Sequence, residues 1–344
     1  MDRSWLWVDF FFVLSGFIMC YVYHANFETG VRRQNFVKFL GARFARIYPL
    51  YFITTLWVFF ITLILLRISA PMDPFFAEIF NPWALPSCLF LIQSMHIGFF
   101  TAPLNTPSWS LSTEWWVYVI FPFILPLFIG TKIRARIFLT LFIITFFLVV
   151  KYFIGPIAYG SSGPTLNMLT DFGFIRCLAG FLAGMLTFAF FQNKSGYHFL
   201  KRDWVFLISF LGVLAAMHFG FADLIIIVFF PFIIICAAYN NGKVKRLLET
   251  RPLQRIGDWS YSIYMVHMPI ILTISILKVK KDPGYFSDFT RFVSKTPSIH
   301  GFYIFLIILA LTLFISALAY RFVEVPARNY INGLLRSREK KVLA

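Results

Sequence analysis

The sequence predicts an all-α fold, a polytopic transmembrane helix bundle with about nine spanning helices plus one re-entrant or surface segment. Three observations predict it. Hydrophobic residues make up 59% of the chain and charged residues 13%, against about 45–50% and about 25% in soluble domains. The apolar residues are gathered into long runs, and about 20 residues of helix cross a hydrocarbon core. The basic residues collect in alternate connecting segments, as membrane topology requires.

The first run, 5–23, is too long for the apolar part of a signal peptide, contains Asp9 and lacks a small-residue cleavage site. The second, 47–68, follows a basic stretch, 24–46. A shorter run, 83–97, holds Pro86, Gln93 and His96 between two Pro-rich stretches, Pro71–Pro82 and Pro103–Pro107, and is expected to be re-entrant or to lie on the surface. The remaining spans are expected near 114–130, 136–154, 172–191, 204–220, 223–239, 259–277 and 301–322. With nine spans, 22 of the 31 Lys and Arg face inward and 8 outward, and Arg176 lies within a span. If 83–97 crossed as well, the split would be 11 inside and 19 outside. The bias selects nine spans and a cytoplasmic C-terminus. The stretch 278–295 is basic on the outer side without a topological reason. No internal repeat is visible, so residues 1–344 are expected to form a single integral membrane domain. An outer N-terminus only four residues ahead of a span is odd, and one helix is expected to be missing upstream.

The net charge of +16 is read as topology, with no nucleic-acid partner. Cys20, Cys88, Cys177 and Cys236 show no CxxC spacing and fall mostly in apolar runs, so buried free thiols are expected, with neither disulfides nor a metal site. No Gly-rich nucleotide loop or Ser-His-Asp signature is present.

Ionisable groups at membrane depth are functional candidates by default. Asp9 shares a helical face with Gly16 and Tyr23, and Gly16 permits close helix approach. Asp9 is either catalytic or an interfacial acid paired with a base. Arg43 and Arg46, at i and i+3, put two guanidinium forks on one face at the inner end of the second span. They are either an anion site or positive-inside anchors. In Pro107–Tyr118, Ser110, Glu114 and Tyr118 fall on one face beside Trp109, Trp115 and Trp116. Either Glu114 is an acid/base or orienting carboxylate next to a hydroxyl, or the stretch is an aromatic belt with a helix cap. In Asp258–Ile270, Ser260, Tyr264 and His267 share a face, and Pro269 loosens the ladder beside His267. His267 is either a general base or an interhelical hydrogen-bond partner. His96, His198, His218 and His300 sit at loops or span ends and are assigned no role.

Taken in order, VDFFFVLSGFIM, RFARIYPLY, PSWSLSTEWWVYVIFP and IGDWSYSIYMVHMPI resemble the successive motifs of the membrane-bound acyltransferase-3 family, O-acyltransferases of cell-surface glycans. The resemblance implies a ten-helix bundle in a bacterial plasma membrane. It implies transfer of an acyl group, usually acetyl, from acyl-coenzyme A to a carbohydrate hydroxyl, with no bound cofactor. It implies Arg43 and Arg46 as the coenzyme A contact, Glu114, His267 and Asp9 as catalytic candidates, and Ser110, Trp109, Tyr118 and Tyr264 along the substrate path. The family's first helix carries an arginine and a catalytic histidine. This chain begins at the segment resembling the second helix, so either its true start lies upstream or it is inactive as written. A membrane transporter of an acylated or anionic solute is the other reading of the same residues.

Overall fold

The computed structural model describes residues 3–68, 71–95, 102–129, 132–154, 173–279, 285 and 299–343. Among these residues every regular element is helical. The main helices are α1 (Trp7–Phe27), α2 (Arg33–Arg67), α3 (Trp109–Ile124), α4 (Ile133–Val149), α5 (Gly173–Gln192), α6 (Asp203–His218), α7 (Asp223–Tyr239), α8 (Arg251–Val279), α9 (Ile299–Ala319) and α10 (Val325–Leu343). Among the described residues, seven helical segments are long and apolar enough to cross a membrane, and α6 and α7 are shorter apolar helices. These nine segments correspond to the nine expected spans. Large apolar side chains such as Phe138, Ile208, Phe305 and Phe314 stand exposed, which suits lipid as the surrounding solvent. His96 and residues 96–97 of the short apolar run lie outside the described residues, as does most of the basic 278–295 stretch.

The chain forms two compact units, each discontinuous in sequence. The first comprises Met1–Val37 and Thr113–Gln254. Its central helix is α5, fourteen of whose twenty residues are buried. Small residues let α1 lie directly against it. A Cβ on Gly184 would overlap the Val13 carbonyl, one on Gly16 would overlap the Phe181 carbonyl, and one on Gly180 would stand 2.8 Å from the Phe12 Cβ. The spacing of Gly180 and Gly184 is the small-xxx-small pattern of close packing in membranes. Phe121 and Tyr118 of α3 pack edge-on against Phe181. At one end, Asp203 accepts from the backbone N–H groups of Lys243 (2.9 Å) and Val244 (3.1 Å) and from the Asn240 amide (3.0 Å), capping the Lys243–Leu248 helix from a neighbouring element.

The second unit comprises Lys38–Ser112 and Arg255–Ala344. Val58, Leu65, Phe76, Phe80, Cys88, Leu104 and Leu272 form its core. The 83–97 run does not become a spanning helix among the described residues. The Asn81 side chain caps a 3-10 turn, Pro82–Ala84, by accepting from the Trp83 N–H at 3.1 Å, and a five-residue helix, Leu85–Leu89, follows. Leu91, two residues beyond the end of that helix, has a left-handed φ of 56°. A bulky side chain avoids that region unless held there, and the Leu91 carbonyl accepts from the buried Ser112 hydroxyl at 2.6 Å. Further along, α9 runs into α10 through a π-helical segment, Tyr320–Glu324. Pro326 accounts for it, because the proline ring cannot coexist with a normal turn around the Phe322 carbonyl.

Candidate functional site

In the second unit, polar side chains cluster at two successive levels of α8. At the first, Arg46 pairs with Glu324, which is almost fully buried. Ser262 donates to the other Glu324 oxygen at 3.0 Å. The Arg46 guanidinium lies 5.7 Å from the centre of the Tyr261 ring, and the Tyr261 hydroxyl donates to the Ile47 carbonyl. The guanidinium groups of Arg43 and Arg328 are within electrostatic reach of Arg46. Arg46 is thus paired with one carboxylate and has two further cations nearby, and the excess positive charge suits an anion.

The second level begins one turn further along. The Tyr264 hydroxyl donates to the Pro107 carbonyl at 2.8 Å and sits 2.9 Å from the Ser110 hydroxyl. His267 Nδ1 lies 2.7 Å from the Tyr264 carbonyl. A carbonyl only accepts, so Nδ1 carries the proton, and in the neutral ring Nε2 keeps its lone pair. Nε2 has no hydrogen-bond partner among the described residues. Ser262 and His267 are five residues apart, about 7.5 Å of helix. The α8 axis thus joins an anion-suited cluster to an imidazole with an open basic nitrogen.

In the first unit, Glu114 Oε1 accepts from the Ser15 hydroxyl at 2.5 Å and from the Tyr118 phenol, and those two hydroxyls are 2.9 Å apart. Oε2 of Glu114 has no hydrogen-bond partner among the described residues. Separately, Asp9 is engaged at both oxygens. Arg176 Nε donates to Oδ1 at 2.9 Å and Nη2 to Oδ2 at 2.6 Å, and both side chains are 0% exposed. The Trp5 ring covers the guanidinium at 4.8 Å. The base beside Asp9 is thus a buried arginine on α5.

The expected site residues fall into both units. Asp9, Glu114 and Tyr118 belong to the first, and Arg43, Arg46, Trp109, Ser110, Tyr264 and His267 to the second. Trp109 is buried at the start of α3. Ser260 is exposed and does not join Tyr264 and His267, whereas the buried Ser262 belongs to the Glu324 cluster. Sequence reasoning also passed over Ser15, Arg176, Tyr261, Glu324 and Arg328. A signal existed for two of them, since Arg176 and Glu324 are charges within or beside apolar runs. For Ser15, Ser262 and Tyr261 nothing in the sequence distinguishes them from their neighbours. Among the described residues no cluster of His, Cys, Asp and Glu could hold a metal ion.

No solved structure matches the chain. The O-acetyltransferase OatA of Staphylococcus aureus is 25% identical over 355 residues, 96% of this chain and 53% of that protein. The peptidoglycan O-acetyltransferase OatA of Listeria monocytogenes is 24% identical over 366 residues, covering 95% of this chain and 52% of its own length. Protein 2 in picA locus of Rhizobium radiobacter is 35% identical over 119 residues, 32% of this chain and 61% of that protein. The chain thus spans about half the length of the two O-acetyltransferases. The family profile described as an acyltransferase domain matches residues 6–321, nearly the whole chain, and the chain belongs to the acyltransferase-3 family.

Proposed function

We propose that this protein transfers an acetyl group from acetyl-coenzyme A, held from the cytoplasmic side, to a hydroxyl of a cell-surface carbohydrate in the bacterial plasma membrane. The observation that carries this reading is His267, whose Nδ1–H is tied to the Tyr264 carbonyl while Nε2 stays open. A sugar hydroxyl is a weak nucleophile and needs a base during attack. Nε2 takes the hydroxyl proton as the sugar oxygen bonds to the thioester carbonyl carbon. The carbon–sulfur bond then breaks, and the coenzyme A thiolate leaves with that proton. The product is an acetyl ester on the sugar. Arg43, Arg46 and Arg328 hold the donor's phosphates, with Glu324 and Tyr261 fixing Arg46. In the first unit, Ser15 and Tyr118 donate to one oxygen of Glu114 and leave the other open, the arrangement of an acid/base or orienting carboxylate. Asp9 is held at both oxygens by Arg176.

The relatives' names support acetyl transfer to a glycan, with peptidoglycan in the Listeria case. The test is reconstitution of the full chain in liposomes with radiolabelled acetyl-coenzyme A and peptidoglycan fragments. Base-labile label on the glycan is expected. Arg43→Ala with Arg328→Ala is expected to raise the KM for the donor by ~10-fold or more, as losing charge-assisted phosphate contacts does. An unchanged donor KM would remove the arginines from the donor site. Glycan acetylated without label would show that the donor is not acetyl-coenzyme A.

A further inference from the structure

Pro269 sits inside α8, two residues after His267. It has no N–H, so it cannot make the helical hydrogen bond to the carbonyl four residues earlier, that of Met265. A buried carbonyl left unpaired costs free energy, and the chain supplies another donor. Asn105, itself fully buried, donates its side-chain amide to the Met265 carbonyl at 3.0 Å. Asn105 also ends the loop that enters the Thr106–Ser108 turn, where its backbone carbonyl accepts from the Ser108 N–H at 2.8 Å. The same loop grips α8 again where Tyr264 donates to the Pro107 carbonyl.

The peptide that Asn105 holds is next in the chain to the one whose carbonyl holds the imidazole. His267 Nδ1 bonds the Tyr264 carbonyl, and Asn105 bonds the Met265 carbonyl. If the Met265 carbonyl lost its partner, it would tilt toward another donor, and the adjoining Tyr264 peptide would turn with it.

We propose that Asn105 is a positioning residue for His267, replacing the helical hydrogen bond that Pro269 cannot make and so fixing the turn that orients the imidazole. The proposal rests on the reading of His267 as the base, but the link from Asn105 to Pro269 can be measured without it. Asn105→Ala removes the replacement donor. Pro269→Ala restores the backbone N–H, so the Met265 carbonyl no longer needs Asn105.

The test is a cycle of Asn105→Ala, Pro269→Ala and both together, in the full chain in liposomes. Histidine labelled with 15N reports the tautomer of His267, its signal identified by its loss in His267→Gln. The Nδ1–H form is expected in the parent chain, a mixture of tautomers in Asn105→Ala, and the Nδ1–H form again in the double variant. Asn105→Ala is also expected to lower kcat by ~10- to 100-fold, the scale of a small misplacement of a reacting group, with the donor KM unchanged. Pro269→Ala in the same chain should return most of that loss. An Asn105→Ala chain with the parent's tautomer, or a double variant no closer to the parent than the single, overturns the proposal. An active His267→Gln chain would instead overturn the reading of His267 as the base, leaving the tautomer cycle to judge the Asn105 link alone.

Discussion

Removing one member of the Asp9–Arg176 pair should strongly destabilise the first unit, whereas removing both should not. The pair is joined by two charge-assisted hydrogen bonds, and neither side chain reaches solvent. Each such bond contributes about 1.5–3 kcal/mol, so Arg176→Met or Asp9→Leu alone forfeits about 3–6 kcal/mol. That agrees with the 3–5 kcal/mol typical of stranding a buried charge. Against a total stability of about 5–15 kcal/mol, it is a large share. The melting temperature should fall by on the order of 10 °C. Asp9→Leu with Arg176→Met replaces both charges by apolar groups and should recover most of that loss. Melting of each detergent-extracted variant, followed by gel filtration after heating, measures this. Single variants melting within a degree or two of the parent would show that the pair does not hold the unit together, and so would a double variant no better than the singles. The same double variant decides what Asp9 does. If it folds and still transfers acetyl groups, Asp9 serves the fold. A folded but inert double variant places Asp9 in the chemistry.

The glycine seam gives a second expectation. Gly184→Val forces α1 from α5 by overlap with the Val13 carbonyl and should cost ~1–3 kcal/mol. Gly212→Ala, inside α6, meets nothing within 4 Å and should stabilise by about 0.5–1 kcal/mol through helix propensity; equal melting temperatures for the two variants would contradict the close packing of α1 on α5. Asp203→Ala removes the cap from two backbone N–H groups and should lower the melting temperature, with faster hydrogen exchange at Lys243 and Val244 as the local signature. Tyr118→Phe and Ser15→Ala each remove one donor from Glu114. Each should lower acetyl transfer, and the two together should fall short of the product of their separate effects, because both act on one oxygen. Fully multiplicative losses would argue that the hydroxyls work independently.

The sequence disclosed the fold more fully than the site, and the reason is physical. Hydrocarbon imposes a fixed length and a nearly complete ban on unpaired charge, so spans such as 47–68 and 172–191 announce themselves. The segment 83–97 could be excluded as a span because flipping everything after it would have reversed the charge bias. The close approach at Gly16 was legible too, because a small residue on a helical face matters only if another helix is near. Pairings were harder. Which base meets Asp9 depends on how α1 lies on α5, and periodicity within one helix says nothing about that. Ser260 shows the same limit. Ideal spacing puts Ser260 beside Tyr264, but the side of α8 turned inward is decided by its neighbours, and Ser260 is left exposed. Glu324 escaped notice because it lies just beyond an apolar run, where a charge looks like ordinary interface. Only the π segment that carries it inward shows that it is the partner of Arg46.

If the imidazole of His267 accepts the sugar proton, its loss must slow the transfer step itself. The most direct measurement is the rate of single-turnover acetyl transfer to peptidoglycan fragments in liposomes, comparing the parent chain with His267→Gln at saturating acetyl-coenzyme A. A drop of ~10²–10⁴-fold is expected, the usual contribution of a positioned base, with donor binding intact. A His267→Gln chain that transfers acetyl groups at the parent's rate would contradict that role for the imidazole.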